Sequence, residues 1–136
     1  MPLWDGNGSE PLIIFSMFEP GTVFRNPGNM GHMWTIVAVA QDDQRLMGNW
    51  SSKKGNIPVT CLLVPSDHPA ITHDSYFVYG KMQEFDAEEI QDLIARGNLI
   101  PAGTINKTTL QRIQTGIFTD KKVPPKIRTR YAHLKK

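Results

Sequence analysis

The chain has 136 residues, with 15 Lys+Arg against 13 Asp+Glu, 40% hydrophobic residues, 11 Gly, 10 Pro and a single Cys. That length suits one domain around one core, and the composition excludes a disordered, collagenous or disulfide-stapled chain. The apolar runs, Leu12–Phe15 and Ile36–Ala40 among them, are too short to span a bilayer. Met-Pro-Leu-Trp-Asp carries no basic region of the kind that opens a secretion signal, so the expectation is a soluble cytoplasmic protein with no membrane contact.

Residues 1–10 read as a polar lead-in. Short runs with β-branched or aromatic residues follow at Leu12–Met17, Thr22–Arg25, Met33–Ala40, Arg45–Asn49, Val59–Val64 and Ser75–Gly80, each bounded by Pro, Gly, Asn or Asp. Met33–Ala40 has apolar residues on both faces, as a central strand should, and Gln41-Asp42-Asp43-Gln44 makes Met33–Asn49 a hairpin. Six strands of this spacing predict a small, strongly bent SH3-like antiparallel barrel over about residues 11–85.

The pattern changes after Phe85. Asp86-Ala87-Glu88-Glu89 predicts a capped helix start, with Ala87, Ile90, Leu93 and Ile94 on one face and Gly97 as its stop. Pro101 separates it from a second helix near Asn106, which buries Leu110, Ile113 and Ile117. The fold class is thus mainly β with C-terminal helices (α+β), a single domain over 1–120 whose helical part spans about 86–118. Residues 121–136 hold seven basic residues and no acidic one, while eight basic against 13 acidic residues leave the body at −5. This basic tail reads as a solvated terminus or as an arm contacting nucleic-acid phosphates, with Tyr131 and His133 available to stack on bases.

No histidine pair has helical i, i+4 spacing and Cys61 falls inside an expected core strand, so neither a metal nor a cofactor is expected. Gly21, Gly28 and Gly31 match no phosphate-binding loop, and no serine sits in a G-x-S-x-G turn. Three polar groups remain. Between Pro65 and Ser75 a proline-stiffened loop carries Asp67, His68 and His73; Asp67 suits a turn cap, whereas the two imidazoles suit either backbone bonding or acid–base chemistry. Asn49-Trp50-Ser51-Ser52-Lys53-Lys54-Gly55 brings hydroxyls and ammonium groups out of a strand end, suited to a phosphate or to an ordinary turn. His32 ends the loop Asn26–Gly31 at the mouth of the central strand.

A small barrel, a loop before a buried hydrophobic strand, and Asn-Trp-Ser-Ser after the next strand resemble the PemK/MazF-type toxin family. In that family a hydrophobic-Thr-Ser element ends the corresponding strand, where Ser51 and Ser52 stand here. The family's basic residue, usually in Arg-Pro, is replaced by Gly31-His32-Met33-Trp34, so His32 would take its role. The resemblance implies metal-independent cleavage of single-stranded RNA by attack of the 2′-hydroxyl on phosphorus. His32 and His73 would be base and acid, Ser51 or Ser52 a hydrogen-bond donor and Lys53 the charge, with RNA contacts from Asn49, His68, Tyr76, Lys121, Lys122, Arg128 and Arg130. It also implies a homodimer and a cognate antitoxin whose acidic or apolar segment fills the RNA groove. Two other readings use the same small barrel: a non-catalytic nucleic-acid-binding module relying on the basic tail, and a protein-interaction domain docking through Trp4, Trp34 and Trp50.

Overall fold

Apolar side chains on both faces of the central strands need cover on both sides, and the chain supplies it. The computed structural model describes residues 18–28 and 31–135. Strands β1 (Thr22–Asn26), β2 (His32–Val39) and β3 (Arg45–Ser52) pair antiparallel in chain order. Neighbouring residues enter opposite clusters: Val23, Val37 and Leu46 a larger one, Phe24, Ile36 and Met47 a smaller one. This is the period-two alternation of a strand covered on both faces. A bulge between Ile36 and Ala38 breaks it once, so that Val37 and Ala38 both join the larger cluster. The expected β2–β3 hairpin forms, turning through Asp43 at φ 72°, a left-handed position that Asp tolerates.

Four shorter strands complete the sheet: β4 (Leu62–Leu63), β5 (Ser75–Phe77), β6 (Gln83–Phe85) and β7 (Ile100–Thr104). The order is β4-β5-β3-β2-β1-β7, with β6 also on β3. One edge of β3 is therefore shared: Arg45–Met47 pair with β6 and Trp50–Ser52 with β5. Gly48 lies between the two stretches, and the Phe77 ring packs where its Cβ would be. The result is an open seven-stranded antiparallel sheet whose end strands β4 and β7 do not pair with each other.

Helix α1 (Ala87–Ala95) starts as its sequence requires: Asp86 accepts from the Glu89 amide at 2.8 Å and Glu89 from the Asp86 amide at 2.9 Å. Ile90 is buried in the smaller cluster with Ala87, Leu93 and Ile94 against it, and Gly97 ends the turn at φ 78°. Helix α2 (Lys107–Gly116), capped by Asn106, covers the opposite face through Leu110, Ile113 and Ile117. The sheet thus lies between α1 on one side and α2 on the other.

Several boundaries differ from expectation. Val59–Val64 forms a strand only at Leu62–Leu63, although the Cys61 carbonyl still accepts from the Phe77 amide of β5 at 3.2 Å. Ser75–Gly80 stops at Phe77 and passes into a 3-10 turn at Tyr79–Lys81, where the Tyr79 hydroxyl donates to the Ile113 carbonyl at 2.7 Å. Strands β6 and β7 were not expected at all. Ile-Pro-Ala-Gly-Thr carries two strand-breaking residues, tolerated because β7 is an edge strand. The expected strand Leu12–Met17 and Trp4 lie outside the described residues.

The basic C-terminal segment packs onto the body, and the domain continues past residue 120. Helix α3 (Pro125–Arg130) buries Ile127, and Val123 and Tyr131 are buried on either side of it. Arg130 bridges Glu84 of β6 and Asp42 of the hairpin turn, both at 2.8 Å, and Tyr131 donates to Glu84 at 2.6 Å. Burial first, then the Glu84 carboxylate, pushes the Tyr131 hydroxyl above the ordinary tyrosine range. Tyr131 is therefore a core residue and no base-stacking platform.

Two stability measurements test this packing. In urea unfolding, Tyr131→Ala should cost about 3–5 kcal/mol, and Tyr131→Phe about 1 kcal/mol for the lost Glu84 bond. Gly48→Ala should cost roughly 1–3 kcal/mol through overlap with the Phe77 ring, and a second change, Phe77→Leu, should return part of it.

Candidate active site

Where β2 begins and β3 ends, the loop preceding β5 closes over the sheet and leaves a cleft of about 370 Å³. His32, Ser51, Ser52, Lys54, Thr72 and His73 line it. The placement follows from pairing: Ser51 and Ser52 lie opposite Tyr76 and Ser75, and the Lys53 amide extends the ladder to the Asp74 carbonyl at 3.0 Å. That brings His73 onto the strand end, with its Nε2 2.7 Å from Ser52 Oγ and its Nδ1 3.1 Å from Thr72 Oγ1. His32, first residue of β2, is held from behind by Asn49, whose Nδ2 donates to its Nδ1 at 3.2 Å. In the neutral ring this leaves the proton on Nε2. Asn49 Oδ1 and the indole nitrogen of Trp34, its cross-strand neighbour, are both buried with no partner among the described residues.

The two histidines of the loop have opposite fates. His68 is buried: its Nδ1 accepts from the Ala70 amide at 3.0 Å, so its Nε2 carries the proton donated to the Ala102 carbonyl at 2.7 Å. Its ring meets Trp50 edge to face, with centroids 5.3 Å apart. Trp50 is itself buried, donating to Thr35 Oγ1 at 2.7 Å. Both ring nitrogens of His68 are thus used, one within the loop and one tying the loop to β7, whereas the His73 ring is exposed and bonds only hydroxyls.

Asp67 anchors the other end of this loop. One carboxylate oxygen accepts from Thr109 at 2.6 Å and Arg112 at 2.8 Å, the other from the Val64 amide at 2.8 Å. Burial alone would push its pKa up, but the Thr109, Val64 and Arg112 bonds together hold it below the usual carboxylate range. The turn-cap role expected of Asp67 is met, and the link to α2 is added. Nothing in the sequence marked Thr109 or Arg112, which lie 42 and 45 residues away.

Of the residues singled out from sequence, His32, Ser51, Ser52 and His73 share the cleft, with Asn49 behind His32. Lys53 does not: its ammonium turns back to the Gly55 carbonyl at 2.7 Å, and Lys54, the next residue, lines the cleft instead. β3 ends at Ser52, so strand alternation does not choose between the two lysines; the local bond to Gly55 turns Lys53 away. Tyr76 and Lys122 line a separate groove with Lys81, on the outer side of β5. Arg128 is spent on the carbonyls of Ile117 and Asp120, and Arg130 on Glu84 and Asp42, while Lys121 is exposed. The expected RNA-contacting set is therefore dispersed. Cys61 is buried, and burial raises its thiol pKa.

No protein-family model matches the chain, and no curated protein matches its sequence. Among the described residues, no group of three or more His, Cys, Asp or Glu could hold a metal ion, and no helix is long and apolar enough to cross a membrane.

The Asp67 anchor predicts an acid-sensitive fold. Its folded pKa lies below the unfolded value of about 3.9, so its contribution is complete above that pH and is lost as pH falls through the folded value. Unfolding midpoints measured from pH 6 downward should fall in the wild type, and Asp67→Asn should be less stable at neutral pH with a shallower acid dependence. An unchanged acid slope in that variant would remove Asp67 from the account.

Proposed function

We propose that the chain is a metal-independent endoribonuclease acting on single-stranded RNA, of the PemK/MazF type, with the cleft between the start of β2 and the end of β3 as its active site. The observation that carries this reading is the meeting of two imidazoles, His32 and His73, with hydroxyls and the Lys54 ammonium in one open cleft. Such chemistry needs a base, an acid and a positive charge near phosphorus, and no metal. His73, with Nδ1–H donated to Thr72, offers Nε2 as base to the ribose 2′-hydroxyl. As the 2′-oxygen bonds to phosphorus, the bond to the 5′-oxygen breaks, and that oxygen takes a proton from Nε2 of His32. Lys54 faces the charge on the phosphoryl oxygens, and Ser51 is a further hydrogen-bond donor. The products are a 2′,3′-cyclic phosphate and a free 5′-hydroxyl.

On this reading the open sheet, sharply divided along β3, is a spread form of the small SH3-like barrel of those toxins. An antitoxin would hold the protein inactive by laying an acidic or apolar segment across the cleft, and a second copy would complete a homodimer. The docked position of Arg128 and Arg130 turns the reading away from a nucleic-acid-binding tail and toward the cleft itself.

The test is cleavage of a labelled single-stranded RNA by the purified protein in EDTA. Wild type should give fragments ending in cyclic phosphate, and His32→Ala or His73→Ala should slow cleavage by about 10²–10⁴-fold with unchanged circular dichroism. RNA binding with no cleavage would replace the enzyme by a non-catalytic binding module.

A further inference from the structure

We propose that Ser52 is a nucleophile, activated by His73 and oriented through Thr72, that accepts small acyl groups from activated carboxylic esters. The inference goes beyond the ribonuclease reading and does not depend on it. The spacing of a covalent hydrolase is a nucleophile within hydrogen-bond reach of a base whose far side is held by a third group. Ser52 Oγ lies 2.7 Å from His73 Nε2, and His73 Nδ1 lies 3.1 Å from Thr72 Oγ1. With Nδ1–H donated to Thr72, Nε2 is free to take the serine proton. The sequence hid this arrangement because the serine stands at a strand end rather than in a G-x-S-x-G turn. The base comes from a loop 21 residues on, delivered by the β3–β5 ladder.

His68 shows what a structural histidine looks like in the same loop: buried, with both nitrogens on backbone groups. His73 is its opposite, exposed and aimed at hydroxyls alone. The cleft of about 370 Å³ has room for a short acyl group, and Lys54 lines it as a cation for the developing oxyanion. In the step itself, Ser52 Oγ bonds to the ester carbonyl carbon while its proton passes to His73 Nε2. The carbonyl–alkoxy bond then breaks, the leaving oxygen takes the proton from His73, and water releases the acyl group by the reverse relay.

The probe is p-nitrophenyl acetate, read as p-nitrophenolate release and as intact mass with peptide mapping. Wild type should gain one acetyl group on the peptide carrying Ser52. Ser52→Ala should lose that adduct, His73→Ala should slow its formation about 100-fold or more, and Thr72→Val should slow it about tenfold with circular dichroism unchanged. Acetylation confined to lysines, or equal rates in wild type and Ser52→Ala, would overturn the proposal. Because RNA cleavage is read separately, retained cleavage without Ser52 acylation would sink the nucleophile alone. Acylation without cleavage would leave it standing.

Discussion

The shared edge of β3 is the constraint on which the rest of the molecule depends. One strand must satisfy β2 over Arg45–Asn49 on one side, and two separate partners, β6 and β5, on the other. Gly48 sits at the change of partner, and only a residue without a side chain leaves room there for the Phe77 ring. Because the first half of β3 belongs to β6, its second half is free to pair with β5. That second pairing sets the loop preceding β5 above Ser51 and Ser52. The cleft is thus a direct consequence of how β3 divides its hydrogen bonds.

That loop is held at two points by groups that differ in kind. Asp67 is fastened to α2 by charge-assisted bonds, and His68 to β7 by one neutral bond, with its ring against Trp50. Between those anchors and β5 the chain presents Thr72 and His73 to solvent over a rigid base. Reactive side chains on a fixed loop lose little freedom when they engage a substrate, which is the economy of preorganisation. Placing the two imidazoles beside a lysine, with no acidic residue among those lining the cleft, also makes it a region suited to anionic or electron-rich carbonyl ligands.

The C-terminal segment makes the opposite use of charge. Its arginines face carboxylates and carbonyls of the body, and its apolar residues close the larger cluster. Seven positive charges in sixteen residues suggest an external partner when counted along the sequence. In space, Arg128 and Arg130 neutralise or cap groups of the same chain, and they work with Tyr131 to hold α3 against β6 and the hairpin turn.

Local patterns in the sequence determined much of this protein. The alternation in Met33–Ala40, the turn at Asp42-Asp43, the Asp86/Glu89 capping box and the Gly97 stop each act over a few residues, and each element formed where its pattern lay. The residues His32, Ser51, Ser52 and His73 were legible as polar groups at strand ends and loops, since few other positions join reactive chemistry to exposure. What tertiary structure alone decided was which groups meet. The Asp67–Arg112 and His73–Ser52 pairs, the edge strand Ile100–Thr104 and the docking of Tyr131 all depend on partners far away in sequence. Side-chain periodicity says which way a residue faces within its own element. Only the pairing of strands and the packing of helices on them says what stands opposite, and that is where the chemistry of the cleft is made.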